Sequence, residues 1–254
     1  LLYANDEKGT YPKSWYAATR LPSVGFAPLQ ERITADVCVV GAGYTGLSAA
    51  LHLAQAGRRV VLLEAQRVGF GASGRNGGQL GSGQRVDQQA LERMLGIDTA
   101  RRLWELGEDA KALVKELIVQ HDIECYLKPG VAWAASRNAD VQHLHRYAGF
   151  LNDRYGYDRM ETLSREGLHE ICPSPDYSGG ILDMDAAHLH PLNLALGLTQ
   201  AAKAAGARIF EQSAVRAIHE GARVTVQTEA GRVAADHVVL ACNGYLGNLN
   251  RQVA

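Results

Sequence analysis

The chain has 254 residues, of which 46% are hydrophobic and 21% are charged, and its formal net charge is −1. This length and composition are typical of a soluble globular protein with one large or two small domains. The lack of a basic stripe argues against a nucleic-acid partner. The longest apolar runs fall short of the roughly 20 residues of a membrane span, so we predict no membrane partner either.

The cysteines and the chain ends give further expectations. The four cysteines are widely spaced and form no C-x-x-C pair, which predicts core thiols of a cytoplasmic protein and neither a zinc site nor a disulfide framework. No secretory signal is present. The chain begins with Leu1 and stops at Ala254 just after a predicted strand and turn, so we expect a fragment. The sequence assigns no oligomeric state.

The first part of the chain contains an arm and a glycine motif. Residues 1–34 carry prolines and aromatics without periodicity, which predicts an arm over the fold, and Val37–Val40 predicts a buried parallel strand. Glycines with G-x-G-x-x-G spacing follow, which permit a tight turn, backbone approach to a pyrophosphate, and packing of the next helix on the strand. We therefore expect a dinucleotide at the N-terminus of that helix, in contact with Gly41, Gly43, Tyr44, Thr45 and Gly46.

A second apolar run, Val60–Leu63, ends in Glu64 about 20 residues after the glycines, which is the usual spacing of this motif. A carboxylate at that strand end is placed to accept hydrogen bonds from a ribose hydroxyl, and Ala65 beside it is a second candidate contact. An acidic residue there disfavours a phosphate on the ribose. NADP is therefore disfavoured, and NAD and FAD remain open.

The next segment, residues 67–83, has seven glycines in seventeen positions. Such a density predicts either backbone contact with a cofactor or a flexible linker. We favour contact, because a Gly/Ser spacer does not need the polar side chains of Arg75, Asn76 and Gln79.

The middle and the end of the chain alternate between helical and strand patterns. A helix is predicted from Gln88 to about His121, with Gly96 and Gly107 as possible bends. Ile123–Leu127 and Val131–Ala135 are predicted to pair around a turn. The other predicted elements are helices at 138–155, 164–171 and 192–205 and strands at 181–184, 208–210, 214–219, 224–228 and 233–241.

His188 and His190 occupy alternate positions, but two histidines are too few ligands for a zinc site, so no metal is predicted. We interpret them as part of a strand-to-helix junction. Trp133 and Tyr126 are interpreted as sheet packing.

Four blocks of the chain resemble the glycine-oxidase/D-amino-acid-oxidase-like family of FAD-dependent amine oxidoreductases, and most closely its γ-glutamylputrescine oxidoreductase branch. The blocks are Ser14–Thr19, Val39–Gly46, Gly69–Gln79 and Val239–Gly244. The resemblance implies an α/β fold, with a Rossmann-like FAD-binding domain of the glutathione-reductase type and an inserted, incomplete α+β substrate domain. It divides the chain into an arm (1–34), a discontinuous FAD-binding domain (35–123 and 188–254) and part of the substrate domain (124–187).

The same resemblance implies that the glycine-dense segment curls over the FAD pyrophosphate towards the flavin. The implied contacts there are Ala72, Ser73, Arg75, Asn76, Gly77, Gly78 and Gln79. Val215 is expected to present its backbone to the adenine. A small-residue turn beside the pyrophosphate is formed by Ala241, Cys242, Asn243 and Gly244, in which the cysteine is interpreted as a packing residue.

The resemblance further implies oxidation of an amine C–N bond, with an imine that hydrolyses to an aldehyde and with oxygen reduced to hydrogen peroxide. The expected partners are molecular oxygen and a small amine, such as γ-glutamylputrescine or a related polyamine or amino acid derivative. Family chains continue beyond residue 254, so no catalytic or substrate-anchoring residue is assigned. An NAD-dependent dehydrogenase, a flavin amine dehydrogenase and a truncated, non-catalytic dinucleotide-binding module remain alternatives.

Overall fold

The structure is a computed structural model that describes residues 7–250. The first residues of the predicted arm, 1–6, and the end of the predicted FAD-binding domain, 251–254, lie outside the described residues. The α-helices are α1 (Trp15–Thr19), α2 (Tyr44–Gln55), α3 (Gln88–Leu95), α4 (Ile97–Gln120), α5 (Asn138–Tyr155), α6 (Arg165–Ile171) and α7 (Pro191–Ala204). The strands are β1 (Arg32–Val40), β2 (Val60–Leu63), β3 (Gln79–Leu80), β4 (Lys128–Ala135), β5 (Met160–Leu163), β6 (Gly179–His188), β7 (Arg208–Phe210), β8 (Ala217–His219), β9 (Val224–Gln227) and β10 (Arg232–Leu240).

The chain divides into two compact units. Unit 1 comprises the described parts of Leu1–Gly77, Leu117–Cys125 and His190–Ala254, and unit 2 comprises Gly78–Glu116 and Tyr126–Leu189. Each unit has its own sheet.

Unit 1 is built on a six-stranded sheet in the order β7-β2-β1-β10-β9-β8. The first four strands run parallel, and β9 and β8 continue the sheet antiparallel. The apolar run Val37–Val40 is buried in the middle of this sheet, as predicted. Helix α2 turns Leu47, Ala50 and Leu51 into the interior and packs on α7. The predicted α/β class with a parallel sheet is confirmed.

Unit 2 has an antiparallel sheet in which β3, β4 and β5 all pair with β6. The predicted hairpin of Ile123–Leu127 with Val131–Ala135 is wrong. The second segment lies in β4 and pairs instead with Gly179–Asp183. The first segment is not a strand, because Tyr126 has a left-handed φ of 53° that interrupts an extended backbone.

The predicted helix from Gln88 to His121 is broken at Gly96, which ends α3 with a φ of 80°, but not at Gly107. Gly107 lies within α4, and another segment of the chain passes directly over it. This close approach leaves no room for a side chain. A Cβ at this position would lie 2.8 Å from the carbonyl oxygen of Gly83. The Gly83 amide donates to Glu108 at 3.1 Å, so the crossing segment is also hydrogen-bonded to the helix.

Lys111 of α4 is only 3% exposed, although it is charged. Its ammonium group forms ion pairs with Glu108 and Asp185 and donates to the Ser82 hydroxyl at 2.8 Å. Buried charge requires such partners, because desolvation would otherwise cost several kcal/mol. The network therefore ties α4 to the segment after β3 and to β6.

The strand-to-helix junction at His190 holds the arm against α7. The His190 side chain caps α7, because its Nδ1 accepts from the Asn193 amide at 3.1 Å. The proton of the neutral ring is then on Nε2, which donates to the Thr19 hydroxyl at 3.1 Å. Leu21 N donates to the Asn193 side chain at 2.9 Å. Burial lowers the pKa of His190, so the neutral imidazole that this arrangement needs is the favoured form.

We expect Gly107→Ala to lower the free energy of unfolding by about 1–3 kcal/mol, because its methyl group collides with backbone that cannot rotate away. Urea unfolding monitored by circular dichroism measures the change. Gly149→Ala is the matched control, because Gly149 lies inside α5 with open space around it and the change should stabilise by about 0.5–1 kcal/mol. Equal effects of the two substitutions would contradict this account.

We expect His190→Asn to keep the helix cap but to lose the bond to Thr19, and so to destabilise the fold by about 1 kcal/mol at pH 8. A lowered folded-state pKa gives the wild type a stability that is complete above the unfolded pKa near 6.5 and is lost as the pH falls through the folded pKa. The difference between wild type and variant should therefore shrink on acidification to pH 5. A difference that is constant across this range argues against the assigned tautomer.

Candidate functional site

Unit 1 contains a cavity of about 410 Å³ at the carboxyl ends of β1, β2 and β10. Ligand pockets of parallel α/β sheets occur at this edge and commonly have volumes in this range. Many residues predicted from the sequence line it: Gly41, Gly43, Tyr44, Thr45, Glu64, Ala65, Ala72, Ser73, Val215, Ala241, Cys242 and Asn243. The other predicted residues are not part of this lining: Gly46, Arg75, Asn76, Gly77, Gly78, Gln79 and Gly244.

At each of the three glycines of the G-x-G-x-x-G motif, a side chain would collide with neighbouring atoms. A Cβ on Gly41, whose φ is 104°, would lie 2.6 Å from the carbonyl oxygen of Ala241. A Cβ on Gly46 would overlap the carbonyl oxygen of Gly41, and this close approach seats α2 on the end of β1. On Gly43, a Cβ would lie 2.9 Å from the Ser73 hydroxyl oxygen and would fill the cavity wall. The glycines therefore keep a backbone-lined cradle open.

The N-terminus of α2 opens into this cradle. The Tyr44 amide donates to the Ser73 hydroxyl oxygen at 3.0 Å, while later amides of the first turn have no intrahelical acceptor. Together with the positive end of the helix dipole, these amides favour an anion. The Ser73 hydroxyl keeps its own proton to donate, so the predicted pairing with a phosphate is chemically open to it.

Glu64 is fixed at the end of β2. One carboxylate oxygen accepts from the Ala42 amide at 2.8 Å, and the other accepts from the Gln66 amide at 2.8 Å. Burial raises the pKa of Glu64, and these two backbone bonds oppose that shift. The carboxylate is therefore oriented in advance, and its remaining lone pairs can accept ribose hydroxyls.

Arg75 and Asn76 contact the turn that carries Ser73. The Arg75 guanidinium donates from Nε to the carbonyl of Phe70 at 2.7 Å and lies over the Phe70 ring. Asn76 donates to the carbonyls of Ala72 and Ser73 at 3.2 and 3.0 Å. These contacts stabilise the shape of the turn from within.

Cys242 lines the cavity beside Ala241. Burial raises the pKa of its thiol, so at neutral pH the thiolate, which is the nucleophilic form, is a small fraction. This agrees with the interpretation of Cys242 as a packing residue. None of the four cysteines, all of which lie within residues 7–250, forms a disulfide.

Sequence reasoning missed several lining residues. They are Val40, Leu63, Gln66, Phe70, Gly71, Ser213, Ala214, Arg216, and the segment from Tyr245 to Leu249. Most are immediate neighbours of predicted ones, so extending each motif by two residues would have found them. Ser213 lies in the wall because its amide donates to the Glu64 carbonyl at 2.8 Å, a contact between distant parts of the chain that no local pattern signals.

Over residues 7–250, no group of three or more His, Cys, Asp or Glu side chains could hold a metal ion. In the same part of the chain, no helix is long and apolar enough to cross a membrane.

We expect Glu64→Gln to weaken dinucleotide binding and to destabilise the fold by about 1–3 kcal/mol, because the new amide group places a donor against a backbone donor in a buried wall. Calorimetric titration with FAD and urea unfolding measure the two effects. Glu31→Gln is the control, since Glu31 pairs with Arg208 at the surface and its loss should change either quantity by less than about 0.5 kcal/mol. Unaltered binding by the Glu64 variant would remove this residue from the site.

Comparison with known proteins places this geometry in a family. The model of the DAO family, described as "FAD dependent oxidoreductase", matches residues 36–254. Gamma-glutamylputrescine oxidoreductase of Escherichia coli K12 is 42% identical over 94% of this chain and 56% of its own length. "Probable oxidoreductase OrdL" of Rhizobium meliloti is 38% identical over 93% of this chain and 55% of its own length.

The solved structures agree with this assignment. Glycine oxidase from Geobacillus kaustophilus superposes with a TM-score of 0.71 at 25% identity, over 87% of this chain and 58% of that one. The chain thus spans somewhat more than half the length of the relatives it matches. The predicted resemblance is confirmed, and the chain belongs to the DAO family of FAD-dependent oxidoreductases.

Proposed function

We propose that the cavity in unit 1 binds FAD and that the protein uses it to oxidise an amine C–N bond. The observation that carries the proposal is the cavity wall itself, in which an open helix N-terminus and a fixed carboxylate lie at neighbouring strand ends. These two features suit the pyrophosphate and the adenosine ribose of one dinucleotide. Family membership supports FAD over NAD.

The proposed roles of the lining residues follow from their chemistry. Gly41, Gly43 and Thr45 present backbone to the pyrophosphate, and Ser73 donates its hydroxyl to it. Glu64 accepts the ribose hydroxyls, and Val215 presents its backbone to the adenine. We further propose roles in flavin binding for the predicted residues outside this lining, from Arg75 to Gln79.

The division of the chain into a cofactor domain and a substrate domain is also a proposal. The discontinuous segments 35–123 and 188–254 are assigned to the FAD-binding domain, and 124–187 to part of the substrate domain, although 78–116 belongs to unit 2 by its contacts. The helix start and Glu64 belong to the first of these segments, and Val215 and Ala241 to the second. This supports a cofactor domain formed by both.

The substrate is proposed to be γ-glutamylputrescine or a related polyamine or amino acid derivative. The printed name of the 42% identical relative supports the first of these. Bound FAD supplies the hydride acceptor, and the product imine hydrolyses in water to an aldehyde. The protein contributes position and electrostatics, so no acid/base pair of its own residues is needed for this reaction class.

We expect γ-glutamylputrescine to bleach the oxidised flavin spectrum when it is titrated anaerobically into the purified flavoprotein. The matched control is the same compound acylated on the terminal amine of its putrescine part, because delocalising the nitrogen lone pair prevents hydride release. Bleaching by a hydroxy acid but by none of the amines would refute amine oxidation.

Admission of oxygen to the reduced protein then identifies the electron acceptor. We expect the oxidised spectrum to return with one hydrogen peroxide formed per flavin. A return that needs an added electron carrier would identify a dehydrogenase instead.

A further inference from the structure

The segment after β10 forms a strained turn at the cavity. Asn243 has a left-handed φ of 47°, which is uncommon outside glycine, and its side-chain oxygen accepts from the Gly244 amide at 2.7 Å. The Tyr245 amide donates to the carbonyl of Cys242 at 2.9 Å and closes the turn. Here the residue that follows the turn is Tyr245, which lines the cavity.

The ring of Tyr245 lies against Gly71, a second residue of the cavity wall. A Cβ built on Gly71 would be 3.3 Å from Tyr245 Cε2 and 3.8 Å from Cδ2. The backbone of Gly71 has a φ of −73°, outside the left-handed region, so the close approach of the ring is one steric reason for glycine here.

The phenol hydroxyl of Tyr245 has no hydrogen-bond partner within residues 7–250, and the residue is 43% exposed. Its position relative to the phosphate end of the cavity follows from the chain. Gly71 precedes Ser73 by two residues, which span at most about 7 Å. Because Ser73 contacts the first amide of α2, the ring and the helix start, where the amides and the dipole favour an anion, line the same cavity.

We propose that Tyr245 is a further cofactor-binding residue, which covers the Gly71 backbone with its ring and donates its phenol hydroxyl to the pyrophosphate of FAD. A hydrogen bond to a charged acceptor is about twice as strong as a neutral one, and the ring excludes water from it. The inference rests on the proposed cofactor site. It adds a donor from the turn after β10 to those of α2 and Ser73.

The test is the dissociation constant of FAD, measured by titrating the apoprotein. Tyr245→Phe keeps the ring and loses the donor, so FAD should bind about tenfold more weakly. Tyr245→Ala loses both and should bind more weakly still. Trp15→Ala is the matched control, because Trp15 is an exposed aromatic outside the cavity lining, and its FAD affinity should equal that of the wild type.

A double-mutant cycle tests the contact with Gly71. Gly71→Ala should weaken FAD binding in the wild type by displacing the ring, but it should add no loss in the Tyr245→Ala background. The thermal midpoint of each apoprotein is measured in parallel, since a merely structural tyrosine would lower that midpoint and leave the FAD affinity unchanged.

The outcomes separate this inference from the proposed site. FAD affinities that are equal in wild type and Tyr245→Phe, or additive effects in the cycle, would overturn the role of Tyr245 alone. FAD affinities that are unchanged in Glu64→Gln as well as in Tyr245→Phe and Tyr245→Ala would overturn the site and the inference together.

Discussion

The parallel register of β1 with its two neighbours is the constraint on which the site depends. Val40 is paired with Leu63 on one side and with Leu240 on the other. The residue after each of these is therefore brought to one edge of the sheet, and the three residues are Gly41, Glu64 and Ala241. The turn, the carboxylate and the small-residue wall meet without any direct bond among their side chains. A slip of one residue in either pairing would separate them.

Local patterns were sufficient for this part of the molecule. The run ending at Val40 predicted the buried central strand because both of its faces are apolar, and the glycine spacing predicted the helix start that follows. Of the 25 residues that line the cavity, 12 were predicted for the same reason, since each contributing segment is a short motif with a fixed geometry. Tyr245 was missed because the predicted turn of small residues ended one position before it, at Gly244, and a tyrosine does not continue a small-residue pattern.

The elements that were predicted wrongly depend on contacts between distant residues. Val131–Ala135 has an adjacent apolar segment that looked like a partner, but its hydrogen bonds go to β6, about fifty residues later. Gly107 was predicted as a possible helix bend, because the reason for a glycine there is its contact with Gly83, which is remote in sequence. Hydrophobic periodicity and secondary-structure propensity carry no information on such pairs of distant residues.

The strand β10, which pairs with one edge of β1, comes late in the chain. The residues that follow the two strands, Gly41 and Ala241, are 200 positions apart in the sequence. During synthesis, β2 can pair with β1 soon after both leave the ribosome, but the other edge of β1 stays open until β10 emerges. An open apolar strand edge is prone to pair with other chains. The cavity wall is therefore incomplete until β10 has emerged, because Ala241, Cys242 and Asn243 follow that strand.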